Sequence, residues 1–121
     1  MSIYDKTPAK ILEEYESKCR MLEDAGLSHA KAKGLLEGLK KNENALLSVI
    51  AGKGEGSNAS RMTEAYASEK YADWIKGYAA AVEEEATTKV RYNALQTKVE
   101  YLRSLLSFVR ETEYKASRHE T

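Results

Sequence analysis

At 121 residues the chain has room for one domain, and with 42% apolar and 31% charged residues it is too apolar for a disordered tail and too polar for a thick globular core. Its 19 basic and 19 acidic residues cancel, which speaks against a dedicated duplex-DNA binder, because such proteins carry a basic excess. A single cysteine rules out an internal disulfide, no apolar run approaches the ~18–20 residues that cross a bilayer, and the opening Met-Ser-Ile-Tyr-Asp-Lys-Thr-Pro has no apolar signal region, so a soluble, cytoplasmic protein without membrane contact is expected.

Thr7-Pro8 reads as a helix start. The Thr hydroxyl can accept from a free N–H, and Pro is tolerated at the first helical position, where its missing N–H would have had no partner. From there Ile11, Tyr15, Leu22, Ala25, Ala32, Leu36, Leu39, Leu46 and Ile50 recur at helical spacing, which predicts a long helix over 8–51. Ala25-Gly26-Leu27-Ser28 either ends one helix and caps the next, or is a weak point in one helix at a cost of ~1 kcal/mol. The stripe keeps its phase across Gly26, which favours a continuous or slightly kinked helix. Gly34 and Gly38, four apart, would let another helix approach closely.

Three glycines alternating with polar residues make 52–58 a loop. Ser57 or Asn58 then caps a short helix over 59–67, and Ser68 marks a turn or a bend. A second long helix is predicted over 69–117. Its stripe is Tyr71, Trp74, Tyr78, Ala81, Glu85, Thr88, Tyr92, Leu95, Val99, Leu102, Leu106 and Val109, a strict alternation of three- and four-residue steps. A helix of that span would be on the order of 70 Å long and would not be stable alone in water. The expected fold is therefore all-α: an antiparallel, coiled-coil-like hairpin of two long amphipathic helices with a short helix between them, forming a single helical domain over 1–121. Glu85 and Thr88 interrupt the stripe with polar side chains, although the run Glu83-Glu84-Glu85 is expected to face water. Leu102, Leu105, Leu106, Phe108 and Val109 cover more than one stripe. Either the N-terminal helix with its leading arm (Ile3, Tyr4) wraps them, or a second chain does, so a homo-oligomer, a dimer or higher, is expected.

No motif for chemistry emerges. His29 and His119 are isolated, and Cys19 has no Cys or His at ligand spacing, so no metal is expected. Gly52-Lys53-Gly54-Glu55-Gly56-Ser57 lacks the spacing of a phosphate loop and follows a helix, so it reads as a plain interhelical loop. No cofactor and no enzymatic activity are expected. Two surfaces suggest binding. Arg103, Ser107, Arg110 and Tyr114, spaced by four, three and four, share one helix face; Arg forks, a hydroxyl and a ring are groups that hold phosphates and stack on bases. Lys89 and Gln96 extend the heptad position of the two arginines. The bland reading is a solvated face, with Arg110 paired to a neighbour such as Glu113. The second surface is aromatic, Trp74 and Tyr78 beside Tyr66 and Tyr71, which either stacks on a partner or packs the start of the hairpin.

Met62-Thr63-Glu64-Ala65-Tyr66-Ala67-Ser68-Glu69-Lys70-Tyr71, followed by a long charged helix ending Glu100-Tyr101-Leu102-Arg103-Ser104-Leu105-Leu106-Ser107-Phe108-Val109-Arg110, resembles small helical proteins of tailed bacteriophages, often encoded near recombination and single-strand annealing genes. The resemblance covers residues 61–114 and brings no catalytic residues. It implies a non-enzymatic interaction protein in the host cytoplasm that binds a protein partner or single-stranded DNA, as an accessory to phage recombination or replication. Alternatives are an anti-defence protein that inhibits a host enzyme or sequesters a nucleotide signal, and a virion assembly protein.

Overall fold

In the computed structural model, which describes residues 7–54 and 56–119 with side chains to residue 116, every regular element is a helix: α1 (Pro8–Gly52), α2 (Asn58–Tyr66) and α3 (Glu69–His119). The arm residues Ile3 and Tyr4, the loop residue Glu55 and the side chain of His119 lie outside the described residues. No helix among the described residues is long and apolar enough to cross a membrane.

The helix ends follow from local hydrogen bonding. Thr7 Oγ1 accepts from the Lys10 amide at 3.2 Å and caps α1. Of the two candidate caps for α2, Ser57 is the one used; its hydroxyl accepts from the Ser60 amide at 3.2 Å. Ser68 has two roles. Its hydroxyl accepts from the Tyr71 amide at 3.2 Å, capping α3, and donates to the Ala65 carbonyl at 2.7 Å, tying off the end of α2. Glu69 sits in the first turn of α3, where a carboxylate complements the exposed amides. Between α1 and α2, Gly56 has φ +101°, a conformation that side-chain-bearing residues rarely adopt.

α1 passes through Gly26 without a break. A Cβ there would lie 3.2 Å from Cε2 of Tyr92, so the missing side chain makes room for the tyrosine ring. Gly34 and Gly38, expected to be the points of close approach, face open space instead.

The contacts divide the chain into two units: Met1–Leu27 with Lys89–Thr121, and Ser28–Thr88. In the first, Ile11, Leu102 and Leu106 form a buried cluster, with Tyr15, Leu105 and Val109 packed around it. Of the broad apolar face over 102–109, α1 thus covers Leu102 and Leu106, while Phe108 remains 65% exposed. In the second unit, Leu47 and Ala51 of α1 pack on Ala65 of α2, flanked by Ile50, Met62 and Tyr71. Burying a side chain of the size of Leu102 or Leu47 contributes roughly 1.5–3 kcal/mol, so each cluster anchors its own unit.

The burial pattern along α3 follows the heptad stripe. Tyr71, Trp74, Tyr78, Ala81, Glu85, Thr88, Tyr92, Leu95, Val99, Leu102, Leu106 and Val109 are all buried or half-buried. On α1 the corresponding series runs through Ile11, Tyr15, Lys18, Leu22, Ala25, His29, Ala32, Leu36, Leu39, Glu43, Leu46 and Ile50, again all withdrawn from solvent. Three members, Lys18, His29 and Glu43, are polar. Glu83 and Glu84 are exposed as expected, but Glu85 is half-buried and lies 3.1 Å from Nε2 of His29. The reason is its place in the stripe, four residues after Ala81 and three before Thr88. Thr88, the buried polar residue, donates its hydroxyl back to the carbonyls of Glu84 and Glu85 at 2.8 and 3.0 Å, so it leaves no unmet donor.

Candidate functional site

The aromatic residues of the second unit form a ladder. Tyr66 meets Tyr71 edge-on with ring centroids 5.3 Å apart, Tyr71 stacks on Trp74 at 5.5 Å, and Trp74 stacks on Tyr78 at 5.1 Å. The i, i+3 and i+4 steps of α3 make this order, and the ladder is tied to α1. The indole N–H of Trp74 donates to the Leu39 carbonyl at 3.3 Å, and the Tyr71 hydroxyl donates to Glu43 Oε2 at 3.0 Å. Burial, and then the hydrogen bond to the Glu43 carboxylate, raise the Tyr71 phenol above its usual value of 10.0. Trp74 and Tyr78 are half-buried, with the indole donor already engaged. This arrangement packs helices; it leaves Tyr66, at 54% exposure, as the ring most open to a visitor.

The C-terminal half of α3 differs. Arg103, Ser107, Arg110 and Tyr114 are all exposed. Arg103 and Ser107 line one open depression together with Glu100, Ser104, Phe108 and Glu111, while Arg110 and Tyr114 lie outside it. Two carboxylates therefore share the depression with one guanidinium. Glu111 is also within 3.5 Å of the Lys115 ammonium, one turn on, in an exposed pair worth little in water. The lining residues that the spacing of Arg103, Ser107, Arg110 and Tyr114 leaves out are Glu100, Ser104, Phe108 and Glu111. Phe108 lies outside the alternation Leu102, Leu106, Val109, and that offset signals that its ring points away from the seam.

Beside this depression runs a second apolar stripe. Val90, Ala94, Tyr101 and Phe108 follow one another by four, seven and seven residues and are exposed, with Val90 at 69% and Tyr101 at 44%. The Lys98 ammonium sits 5.6 Å from the Tyr101 ring centroid and 3.6 Å from Glu14 Oε1, so it bridges the ring to α1. Among the described residues no group of three or more His, Cys, Asp or Glu side chains could hold a metal ion. Cys19 is a free, half-buried thiol. No protein-family model, curated protein or solved structure matches this chain.

Proposed function

We propose that this chain is a non-enzymatic interaction protein that binds a protein partner through the outer face of the C-terminal half of α3. The observation that carries the reading is the make-up of that face. An exposed aromatic ring, Phe108, lies beside Arg103 in a depression that also contains Glu100 and Glu111. Aromatic residues and Arg are the side chains enriched at protein interfaces, and both charge signs around a ring suit a polypeptide surface. A polyanion would meet Glu100 and Glu111 as well as Arg103, and a chain of zero net charge offers it no long-range attraction. The resemblance to phage proteins gives the setting of the proposal: an accessory to phage recombination or replication, working as an oligomer in the host cytoplasm.

The scaffold for this face is an antiparallel hairpin of α1 and α3. Support comes from the order of contacts within each unit. In the first, Ile11 packs with Leu102 and Leu106, Glu14 reaches Lys98, and Gly26 adjoins Tyr92. In the second, His29 reaches Glu85, Leu39 reaches Trp74, and Glu43 reaches Tyr71. Rising positions on α1 meet falling positions on α3 in both.

A fluorescence anisotropy titration with labelled single-stranded DNA at two salt concentrations separates a protein binder from a nucleic-acid binder. The protein-binding reading expects a flat curve at physiological salt. Tight binding that weakens steeply with salt and disappears in Arg103→Ala/Arg110→Ala would overturn it in favour of a phosphate-holding face.

A further inference from the structure

We infer that the aromatic ladder of the second unit is a site of one-electron oxidation. A small oxidising radical, of the azide or carbonate class, takes an electron from Trp74, and the vacancy comes to rest on Tyr71 as a neutral tyrosyl radical. The inference uses nothing from the outer face of α3 and stands apart from the protein-binding reading.

The residue types set the starting point. Indole and phenol rings are among the side chains that give up one electron most readily, and Trp74 is the one tryptophan of the chain. It is half-buried, so a small radical still reaches the edge of the indole. Its ring stacks on Tyr71 with centroids 5.5 Å apart and planes 8° apart, and on Tyr78 at 5.1 Å and 12°. Stacked rings at this spacing are in direct contact, so an electron passes between them without a bridge.

The proton decides which phenol supplies that electron. A phenol that has lost an electron is a very strong acid, and the transfer runs downhill when the proton leaves with it. The Tyr71 hydroxyl already donates to Glu43 Oε2 at 3.0 Å, and a carboxylate at that distance is a placed proton acceptor. Among the described residues the Tyr78 hydroxyl makes no hydrogen bond. Trp74 has no such base either. Its N–H donates to the Leu39 carbonyl at 3.3 Å, and a carbonyl is too weak a base to take the proton. The indole radical cation therefore keeps its proton and stays the stronger oxidant of the pair.

The two steps balance. The oxidising radical gains one electron and leaves as an anion, and Trp74 becomes a radical cation. Tyr71 then gives one electron to Trp74, which returns to the neutral indole, and gives its hydroxyl proton to Glu43. The phenol O–H bond breaks, an O–H bond forms on the carboxylate, and a neutral tyrosyl radical faces a neutral carboxylic acid.

Pulse radiolysis of the full chain in azide solution tests this. The indole radical absorbance should decay as tyrosyl radical absorbance grows, at a first-order rate that does not change with protein concentration. Tyr71→Phe keeps the ring in the stack and removes the phenol; Glu43→Gln keeps an acceptor for the hydroxyl and removes the base. Each should slow the transfer at least ~10-fold, short of the ~10²–10⁴-fold of a fully placed base because water reaches a half-buried phenol. The parent rate should also fall in deuterium oxide, since the proton moves with the electron. Tyr78→Phe should leave the rate unchanged, and far-UV circular dichroism of each variant should match the parent. Should Tyr71→Phe not fold, Glu43→Gln and the deuterium effect decide the matter. An indole radical that never passes to a tyrosine, a rate that climbs with protein concentration, a rate that Glu43→Gln or a folded Tyr71→Phe leaves intact, or a rate that depends on Tyr78 instead would overturn the inference.

Discussion

Leu102→Ala tests the packing that holds the α3 face in place. Leu102 is fully buried between Ile11 and Leu106, with no water contact to soften its loss. Truncation removes three carbon atoms, and at ~0.8 kcal/mol for each the transfer loss is about 2.4 kcal/mol. A residual cavity adds to this, and Leu→Ala changes in protein cores cost roughly 2.7–5 kcal/mol in all. Tyr15, Leu105 and Val109 are only partly buried around the cluster and can settle inward, so the expected total lies near the lower end, about 3 kcal/mol. Urea unfolding followed by far-UV circular dichroism reads it as a fall in midpoint at constant m. Leu27→Ala is the matched control, since Leu27 is 62% exposed and its truncation should change stability by less than ~0.5 kcal/mol. If Leu102→Ala cost less than ~1 kcal/mol, no more than an exposed leucine, the cluster would not be the anchor of its unit.

Other outcomes follow from the same contacts. Gly34→Ala should stabilise the protein by ~0.5–1 kcal/mol, because the new methyl meets open space and alanine is the better helix former. Gly26→Val should lose ~1–3 kcal/mol, since its branched side chain must displace the Tyr92 ring; thermal denaturation of the two variants should show shifts of opposite sign. The Tyr71 phenol, raised above 10.0 by burial and by Glu43, supports the fold fully below the unfolded tyrosine value and loses that contribution as pH climbs through the higher folded value. The phenolate absorbance that an alkaline titration loses in Tyr71→Phe should therefore be one that develops above pH 10.0; loss of absorbance that develops at or below that value would contradict the Tyr71–Glu43 contact. Arg103→Ala/Arg110→Ala should change unfolding free energy by no more than ~1 kcal/mol, as expected for exposed side chains, measured in the same urea assay.

The α3 seam is legible in most of its residues because 69–117 holds no proline and one glycine, so the three-and-four alternation from Tyr71 to Val109 keeps its phase; Glu85 is the exception, its charge pointing to solvent while its place in the alternation withdraws it. The α1 seam is harder to read. Lys18, His29 and Glu43 occupy inner positions, and polarity disguises them as surface. The acceptor beside His29 lies 56 residues away, and the phenol that Glu43 binds lies 28 away; such pairings have no signature in local periodicity. The spacing that groups Arg103, Ser107, Arg110 and Tyr114 holds on the helix surface, yet only Arg103 and Ser107 share a depression. What completes it comes from Glu100, Ser104, Phe108 and Glu111, whose direction depends on which stripe α1 covers. Gly34 and Gly38 carried the signal of close approach by spacing alone, whereas the ring that adjoins Gly26 comes from Tyr92, far along the chain.

The C-terminal face of α3 is tested most directly by site-specific photo-crosslinking in cells that carry the protein in its natural setting. A benzophenone side chain in place of Phe108 should capture a protein in a defined adduct, whether a second copy or a foreign chain, and the adduct should disappear when Arg103 and Tyr101 are replaced by Asp. The same probe in place of the exposed Ala30 is the control and should give only background. If position 108 captures no more than position 30, the face does not engage a protein, and the proposed function is wrong.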